Sequence, residues 1–230
     1  MARCEQVSHA LGNALRHREL VIVGKALEGA AAKGHETKLV NLYDLKFTSC
    51  RECFACKRLG APTFGKCIWP DDLKPLLEEI RTDCAALVVA TPVFFLDFPG
   101  TVRSFFERLI FPAYPYCDVK DGAKSLFPRR MPVGLIVSMN VPEALAKDCG
   151  YPAKMWDSGS FGTFGNWIET FIGPYSALPI YDTWQFPDYS KYASTVFDPA
   201  HKAKVRSEQF PKDLQSAYDF GMKILSRQVV

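Results

Sequence analysis

The sequence predicts an α/β domain, a doubly wound parallel sheet with helices on both faces. Three observations predict it. Short apolar runs alternate with helix-period segments, the most apolar run (Ala85 to Ala90) stops at Thr91-Pro92, and no linker, charge block or repeat divides the 230 residues. A parallel sheet covered on both faces produces this alternation, because its strands are buried on both sides. With 48% hydrophobic content the chain can fill one substantial core, so residues 1–230 are read as a single domain.

The N-terminus leaves two readings of the first strand. Cys4 to Leu11 (CEQVSHAL) is weakly apolar, and Leu20 to Val23 (LVIV), ended by Gly24, is the alternative. The preferred reading is a long helix from about Ala14 to Lys33, with Leu20, Val23, Leu27 and Ala30 inward. Thr37 to Leu42 follows the breaker Gly34 as a β-type stretch, and Ala85 to Ala90 reads as a strand buried on both faces. Val133 to Met139 is the next strand, and Leu178 to Trp184 the last, with Pro179 marking its start or an edge position.

Helices separate these runs. Asp71-Asp72 supplies an N-cap for Leu73 to Ile80, with Pro75 inside the tolerated first turn. From Thr101, the spacing Val102, Phe105, Phe106, Leu109, Ile110 marks one apolar helical face. A C-terminal helix opens at Pro211 and aligns Leu214, Ala217, Tyr218, Gly221, Ile224 and Leu225. Trp156 to Tyr175, rich in Gly and Phe, reads either as a covering or dimer-contact loop or as an amphipathic helix with a Gly-rich start. Roughly five strands in this alternation suit a flavodoxin-like five-stranded sheet of order 2-1-3-4-5.

Composition narrows the function. The formal charge is +3 with Lys and Arg scattered, so nothing argues for a nucleic-acid partner. Met-Ala-Arg-Cys-Glu-Gln lacks the apolar core of a signal peptide, and no apolar run approaches membrane-spanning length. The expectation is a cytoplasmic protein without a membrane partner. Of eight cysteines, Cys4, Cys84, Cys117 and Cys149 are dispersed and read as reduced, often buried thiols.

In an open parallel sheet, ligands bind beyond the carboxyl ends of the strands where strand order reverses. Thr91-Pro92-Val93-Phe94-Phe95 lies there. Pro92 holds Thr91 extended, and the following aromatics offer a surface for a flat ring. The plainer reading is that Phe94, Phe95 and Phe98 are core.

The other four cysteines cluster as Cys50-x2-Cys53-x2-Cys56, with Cys67 following after ten intervening residues, and are flanked by Arg51, Lys57, Arg58 and Lys66. Three readings stay open: ligands of a [4Fe–4S] cluster, a structural zinc site, or a metal-free loop of reduced thiols.

Several blocks in order carry a family resemblance. They are Ala26-Leu27-Glu28-Gly29-Ala30, Asn41-Leu42-Tyr43-Asp44-Leu45, the cysteine segment through Asp71-Asp72-Leu73, and Ala90 to Phe95 with Pro99-Gly100 and Phe106-Glu107-Arg108. Phe186 to Tyr192 and Gln209 to Asp213 follow. In these the chain resembles the NADPH-dependent FMN reductases and iron-sulfur flavoproteins. The resemblance implies FMN at the sheet's carboxyl edge, with NAD(P)H as co-substrate. The phosphate would lie at Gly12, Asn13 and Arg16, where the family's Ser and Thr are absent and His17 and Arg18 add positive charge. Thr91, Pro92, Val93, Phe94 and Phe95 would lie along the ring, approached from another side by Ser138, Met139 and Asn140. Hydride acceptance occurs on the flavin, so no catalytic side chain is assigned. The resemblance further implies a homodimer, a small electron acceptor such as a quinone or flavin, and, for its iron-sulfur branch, a cluster on Cys50, Cys53, Cys56 and Cys67. The rival readings are an iron-sulfur electron carrier and a non-enzymatic interaction domain that has lost its phosphate loop.

Overall fold

The computed structural model describes the backbone of residues 3–8, 12–116 and 124–225, with side chains from Glu19 onward. Among these residues five parallel strands, β1 (Arg3–Ser8), β2 (Glu36–Asn41), β3 (Cys84–Pro92), β4 (Val133–Ser138) and β5 (Tyr175–Ile180), lie in the order β2-β1-β3-β4-β5. Seven helices complete the described fold: α1 (Gly12–Ala32), α2 (Leu73–Thr82), α3 (Gly100–Ala113), α4 (Glu143–Asp148), α5 (Ser160–Phe171), α6 (Pro199–Glu208) and α7 (Phe210–Ile224).

Strand β3 shows why the layers form. Leu87 and Val89 enter the core beneath α2, α3 and α5, while Ala86, Val88 and Ala90 enter a second core beneath α1 and α7. Alternate side chains point to opposite faces, so an uninterrupted apolar run feeds both layers. In β4, Val133, Leu135 and Val137 join the first core and Ile136 the second.

The long N-terminal helix is present, and Leu20 to Val23 is helical within it. Arg3–Ser8 forms the first strand despite its weak apolar character. Pairing along both sides, with β2 and β3, supplies hydrogen bonds that local sequence does not advertise. The inward face of α1 is Ile22, Val23, Ala26 and Ala30, with Leu20 and Leu27 half-buried.

The last strand begins at Tyr175, earlier than its apolar run suggested. Pro179 lies inside it, which the edge position tolerates. Residues Ser160–Phe171 of the Gly- and Phe-rich segment are helical, preceded by a π-helical turn at Ala153–Asp157. Of the dispersed cysteines, Cys84 is buried but Cys149 is exposed. Cys149 follows the short α4 at the surface, whereas Cys84 opens a central strand. The side chains of Cys4 and Cys117 lie outside the described residues.

Helices α1 and α7 cross closely at two glycines. A Cβ on Gly221 would stand 1.8 Å from the Ala26 carbonyl oxygen, and one on Gly29 would stand 2.0 Å from that of Tyr218. Both obstacles are backbone, so a side chain can fit only by moving a helix. Gly221→Ala is therefore expected to destabilise the protein by about 1–3 kcal/mol in denaturant titration, the usual range for overpacking. An unchanged midpoint would show that the helices part freely.

Candidate functional site

The carboxyl edge of β3 is held by its neighbours. Thr91 is fully buried, and the N–H of Val93 donates to the Ser138 carbonyl at 3.1 Å, tying the loop to the end of β4. Phe94 and Asp97 exchange two backbone hydrogen bonds of 2.9 Å. These close a two-residue turn whose central Phe95 and Leu96 both take positive φ, 52° and 64°. Both values lie in the left-handed region, where Asn and Gly are the usual occupants.

The turn is anchored by Asp97. Its Oδ1 accepts from the Phe98 N–H at 2.6 Å, and its Oδ2 accepts from Ser160 Oγ at 2.9 Å and Arg103 at 3.4 Å. Phe98 packs against Phe161 at 4.3 Å and Phe106 at 5.3 Å. The core reading thus holds for Phe98. Phe94 is partly exposed and Phe95, at 101% relative exposure, stands wholly in solvent. The turn's direction puts that ring outside the core, which residue type alone could not disclose.

The end of β4 supplies a second wall. Ser138 Oγ is 2.7 Å from Glu19 Oε1, so a buried carboxylate on α1 locks this strand end to the helix after β1. The Met139 carbonyl accepts from both the N–H and Oγ1 of Thr183 at 3.0 Å. Asn140 donates its amide to Gln185, while its Oδ1 is buried without a hydrogen-bond partner. Beneath it, Lys202 is buried at 1% exposure, donating to the Asn140 carbonyl and pairing with Asp182 Oδ1. The other oxygen of Asp182 lies 2.6 Å from His201 Nε2. A buried lysine thus pins the β4 loop to the chain after β5.

Thr91, Pro92, Val93, Phe94, Phe95, Ser138, Met139 and Asn140 converge at the edges of two adjacent strands. Gly12 opens α1, but the side chains of Asn13, Arg16, His17 and Arg18 lie outside the described residues. Sequence reading missed Glu19, Asp182, Thr183 and Lys202. The available signal was polar character at helical or strand-end positions, which becomes distinctive only when burial is known.

The four clustered cysteines gather on the flank of α3. Cys50, Cys53, Cys56 and Cys67 line one narrow enclosed space with Trp69, Arg108 and Phe111 among its walls. Among the described residues no group of three or more His, Cys, Asp or Glu side chains is gathered closely enough to hold one metal ion. Arg108, fully buried, organises the loop. Its Nε donates to Cys67 Sγ at 3.2 Å, its Nη1 to the Thr48 carbonyl at 3.1 Å and to Asp71, and its Nη2 to the Trp69 carbonyl at 3.4 Å.

Lys57 donates to the Phe111 and Tyr114 carbonyls at the end of α3, capping that helix from the cysteine loop. Burial pushes the Cys56 thiol up; Lys57 opposes that and the other three cysteines add to it. Burial also draws the Lys57 ammonium down, against the pull of Cys56 and Cys50.

The family model of the NADPH-dependent FMN reductases matches residues 16–138, just over half of the chain. The chain belongs to this family. The match runs from α1 to the last residue of β4, and so takes in the β3 turn and the cysteine loop and stops just before Met139 and Asn140. Among curated relatives, this family member is 29% identical over 89 residues to an iron-sulfur flavoprotein of Methanosarcina thermophila, covering 39% of the chain and 44% of the relative. The chain thus matches less than half the length of that curated relative. Among solved structures it resembles the NAD(P)H:quinone oxidoreductase from Methanothermobacter marburgensis, with a TM-score of 0.61, 15% identity and 100% of both chains covered. It also resembles an FMN-dependent NADH-azoreductase from Bacillus anthracis, with a TM-score of 0.60, 14% identity and 98% and 99% of the two chains covered. These likenesses show a flavodoxin-like α/β fold. No helix among the described residues is long and apolar enough to cross a membrane.

Proposed function

We propose that this reductase-family chain binds FMN at the carboxyl edge of the sheet and moves electrons from NAD(P)H through it to a small acceptor. The observation that carries the reading is the match over residues 16–138, which spans the edge of β3 and the end of β4. The residues there suit a flat heteroaromatic ring. Asn140 Oδ1 is a buried acceptor without a partner, Thr91 and Pro92 present backbone at the strand end, and Phe94 and Phe95 expose rings beside it. When bound, FMN would supply hydride chemistry that no side chain here provides. The chain's own part is to orient that ring: Lys202 and Thr183 fix the β4 loop, and Asp97 fixes the β3 turn. Quinones and free flavin are the acceptors proposed, and the homodimer implied by the family belongs to the same proposal, removed by a monomer in light scattering.

The test is a visible spectrum of purified protein before and after FMN addition, followed by NADPH. Bands characteristic of bound flavin, bleached by NADPH, are expected. A spectrum that remains that of free FMN would overturn the reading and favour an interaction domain. Asn140→Leu is expected to weaken FMN binding about fivefold to tenfold, as loss of one buried hydrogen bond does; unchanged affinity would remove Asn140 from the site.

A second reading is favoured by four cysteines lining one space with the Arg108 guanidinium against Cys67, although among the described residues no three of them are gathered to share a single ion. It makes the chain an electron carrier with a [4Fe–4S] cluster on Cys50, Cys53, Cys56 and Cys67. Iron and sulfide analysis of protein purified without oxygen decides it, and their absence leaves a reduced thiol loop.

A further inference from the structure

A cavity of about 650 Å³ opens between the cysteine loop, α3 and α5. That volume is in the range of small-molecule sites. Phe54, Phe111, Tyr114, Tyr116, Phe164 and Trp167 form most of its wall. They come from three separate stretches of chain and support one another before any ligand arrives. Tyr114 packs on Trp167 at 5.3 Å and on Tyr116 at 4.9 Å, while Phe111 packs on Tyr116 at 5.6 Å and Phe54 at 6.3 Å.

Two features are unusual for an ordinary surface. Phe54, Tyr116 and Trp167 leave 49%, 58% and 41% of their surfaces exposed, although each is large and apolar. Three residues of the wall, Glu52, Phe54 and Tyr116, hold positive φ of 52°, 52° and 58°. Left-handed backbone at non-glycine residues is unfavourable and recurs where a side chain must be displayed for use.

The charges around the cavity define its occupant. Glu52 and Glu107 line it, and no Lys or Arg does among the described residues. Lys57 stands over three of the rings, 4.4 Å from the Phe111 centre, 5.3 Å from Tyr116 and 5.7 Å from Tyr114, and donates to the Phe111 and Tyr114 carbonyls. Arg103 is 3.5 Å from Glu107 and 5.6 Å from the Phe164 ring centre, which partly offsets that carboxylate. Two carboxylates and two cations thus stand around these rings, so the wall carries no net charge among the described residues.

We infer that this cavity binds an uncharged, flat aromatic small molecule. Phosphate-bearing FMN and NAD(P)H do not suit it. Its far wall, Glu107 to Phe111, lies roughly 10–16 Å along α3 from Gly100, at 1.5 Å per residue, while Phe164 at its near side packs on Phe98 at 5.5 Å. The cavity shares Cys50, Phe54, Glu107 and Phe111 with the space between the four thiols, so its occupant lies against the cysteine loop.

One ring system in three charge states tests this. Acridine (uncharged at pH 8), proflavine (cationic) and acridine-9-carboxylate (anionic) are titrated into the full chain, with and without saturating FMN, and binding is read from ligand anisotropy. Acridine is expected to bind, proflavine and the carboxylate each about tenfold more weakly, and FMN to displace none of them. Tyr116→Ala and Trp167→Ala each remove a partly exposed ring of the wall, and each is expected to weaken acridine about fivefold to tenfold. Tyr192→Ala, an exposed ring elsewhere, serves as the control and is expected to change nothing. Glu52→Gln is expected to narrow the gap between acridine and the carboxylate. Displacement by FMN, equal binding of either ion, indifference to both wall variants, or no binding of acridine would each overturn the inference. Circular dichroism confirms folding of each variant, and either wall variant suffices if the other unfolds.

Discussion

Arg108→Met is expected to lower stability by about 3–5 kcal/mol, as breaking a buried ion pair usually does. For a chain of this size that is roughly a 10 °C fall in melting temperature. Arg108 is 2% exposed, and truncation strands every group it serves at once. The Thr48 and Trp69 carbonyls, the Cys67 sulfur and the Asp71 carboxylate would all lose a donor. Asp71 also accepts from the N–H groups of Thr48 and Leu73, so the start of α2 and the cysteine loop share this one centre.

The pH dependence has a definite sign. Burial pushes the Asp71 carboxyl up, but the Arg108 hydrogen bond and charge, with the two backbone donors, outweigh it and hold it below the ordinary value of 3.8. A group whose pKa is lowered by folding contributes stability above its unfolded value and loses it as pH falls through the folded one. The difference between wild type and Arg108→Met should therefore be largest above about pH 4 and shrink below it. Urea titrations at pH 7 and pH 3 measure both. A difference under about 1 kcal/mol at pH 7 would mean that water replaces the guanidinium readily. Adding Asp71→Leu should recover part of the loss, because the stranded carboxylate is then gone.

The second large effect runs the other way. Phe95→Asn with Leu96→Gly is expected to stabilise the protein by about 2–4 kcal/mol, because each wild-type residue sits in a strained left-handed conformation. The Phe94–Asp97 hydrogen bonds can persist, since only the two central residues change. Phe95 is wholly exposed, so little burial is forfeited. A rise of several degrees in melting temperature is the expected reading. If the exposed ring serves a ligand at the sheet edge, the same variant should lose affinity for FMN or the acceptor while gaining stability. No gain in melting temperature would show that the turn relaxes in solution.

Much of the framework was legible in the chain. Ala85–Ala90 and Val133–Met139 announced their strands because burial on both faces leaves an unbroken apolar run. The helix at 73–80 announced itself through Asp71, whose Oδ1 accepts from the Leu73 N–H at 3.2 Å. Arg3–Ser8 was less legible because its place between two strands depends on pairing, not on its own residues.

The layered α/β order, the placing of Thr91–Phe95 at a strand end and the grouping of four cysteines were already written in the residues. Those follow from local periodicity, a proline and simple spacing. It took the folded chain to show that Phe95 faces water while Phe98 enters the core, that Arg108 and Lys202 are buried, and that Phe54, Phe111 and Trp167 share one cavity. The physical reason is that burial and pairing arise between segments tens of residues apart, and no local pattern carries that information.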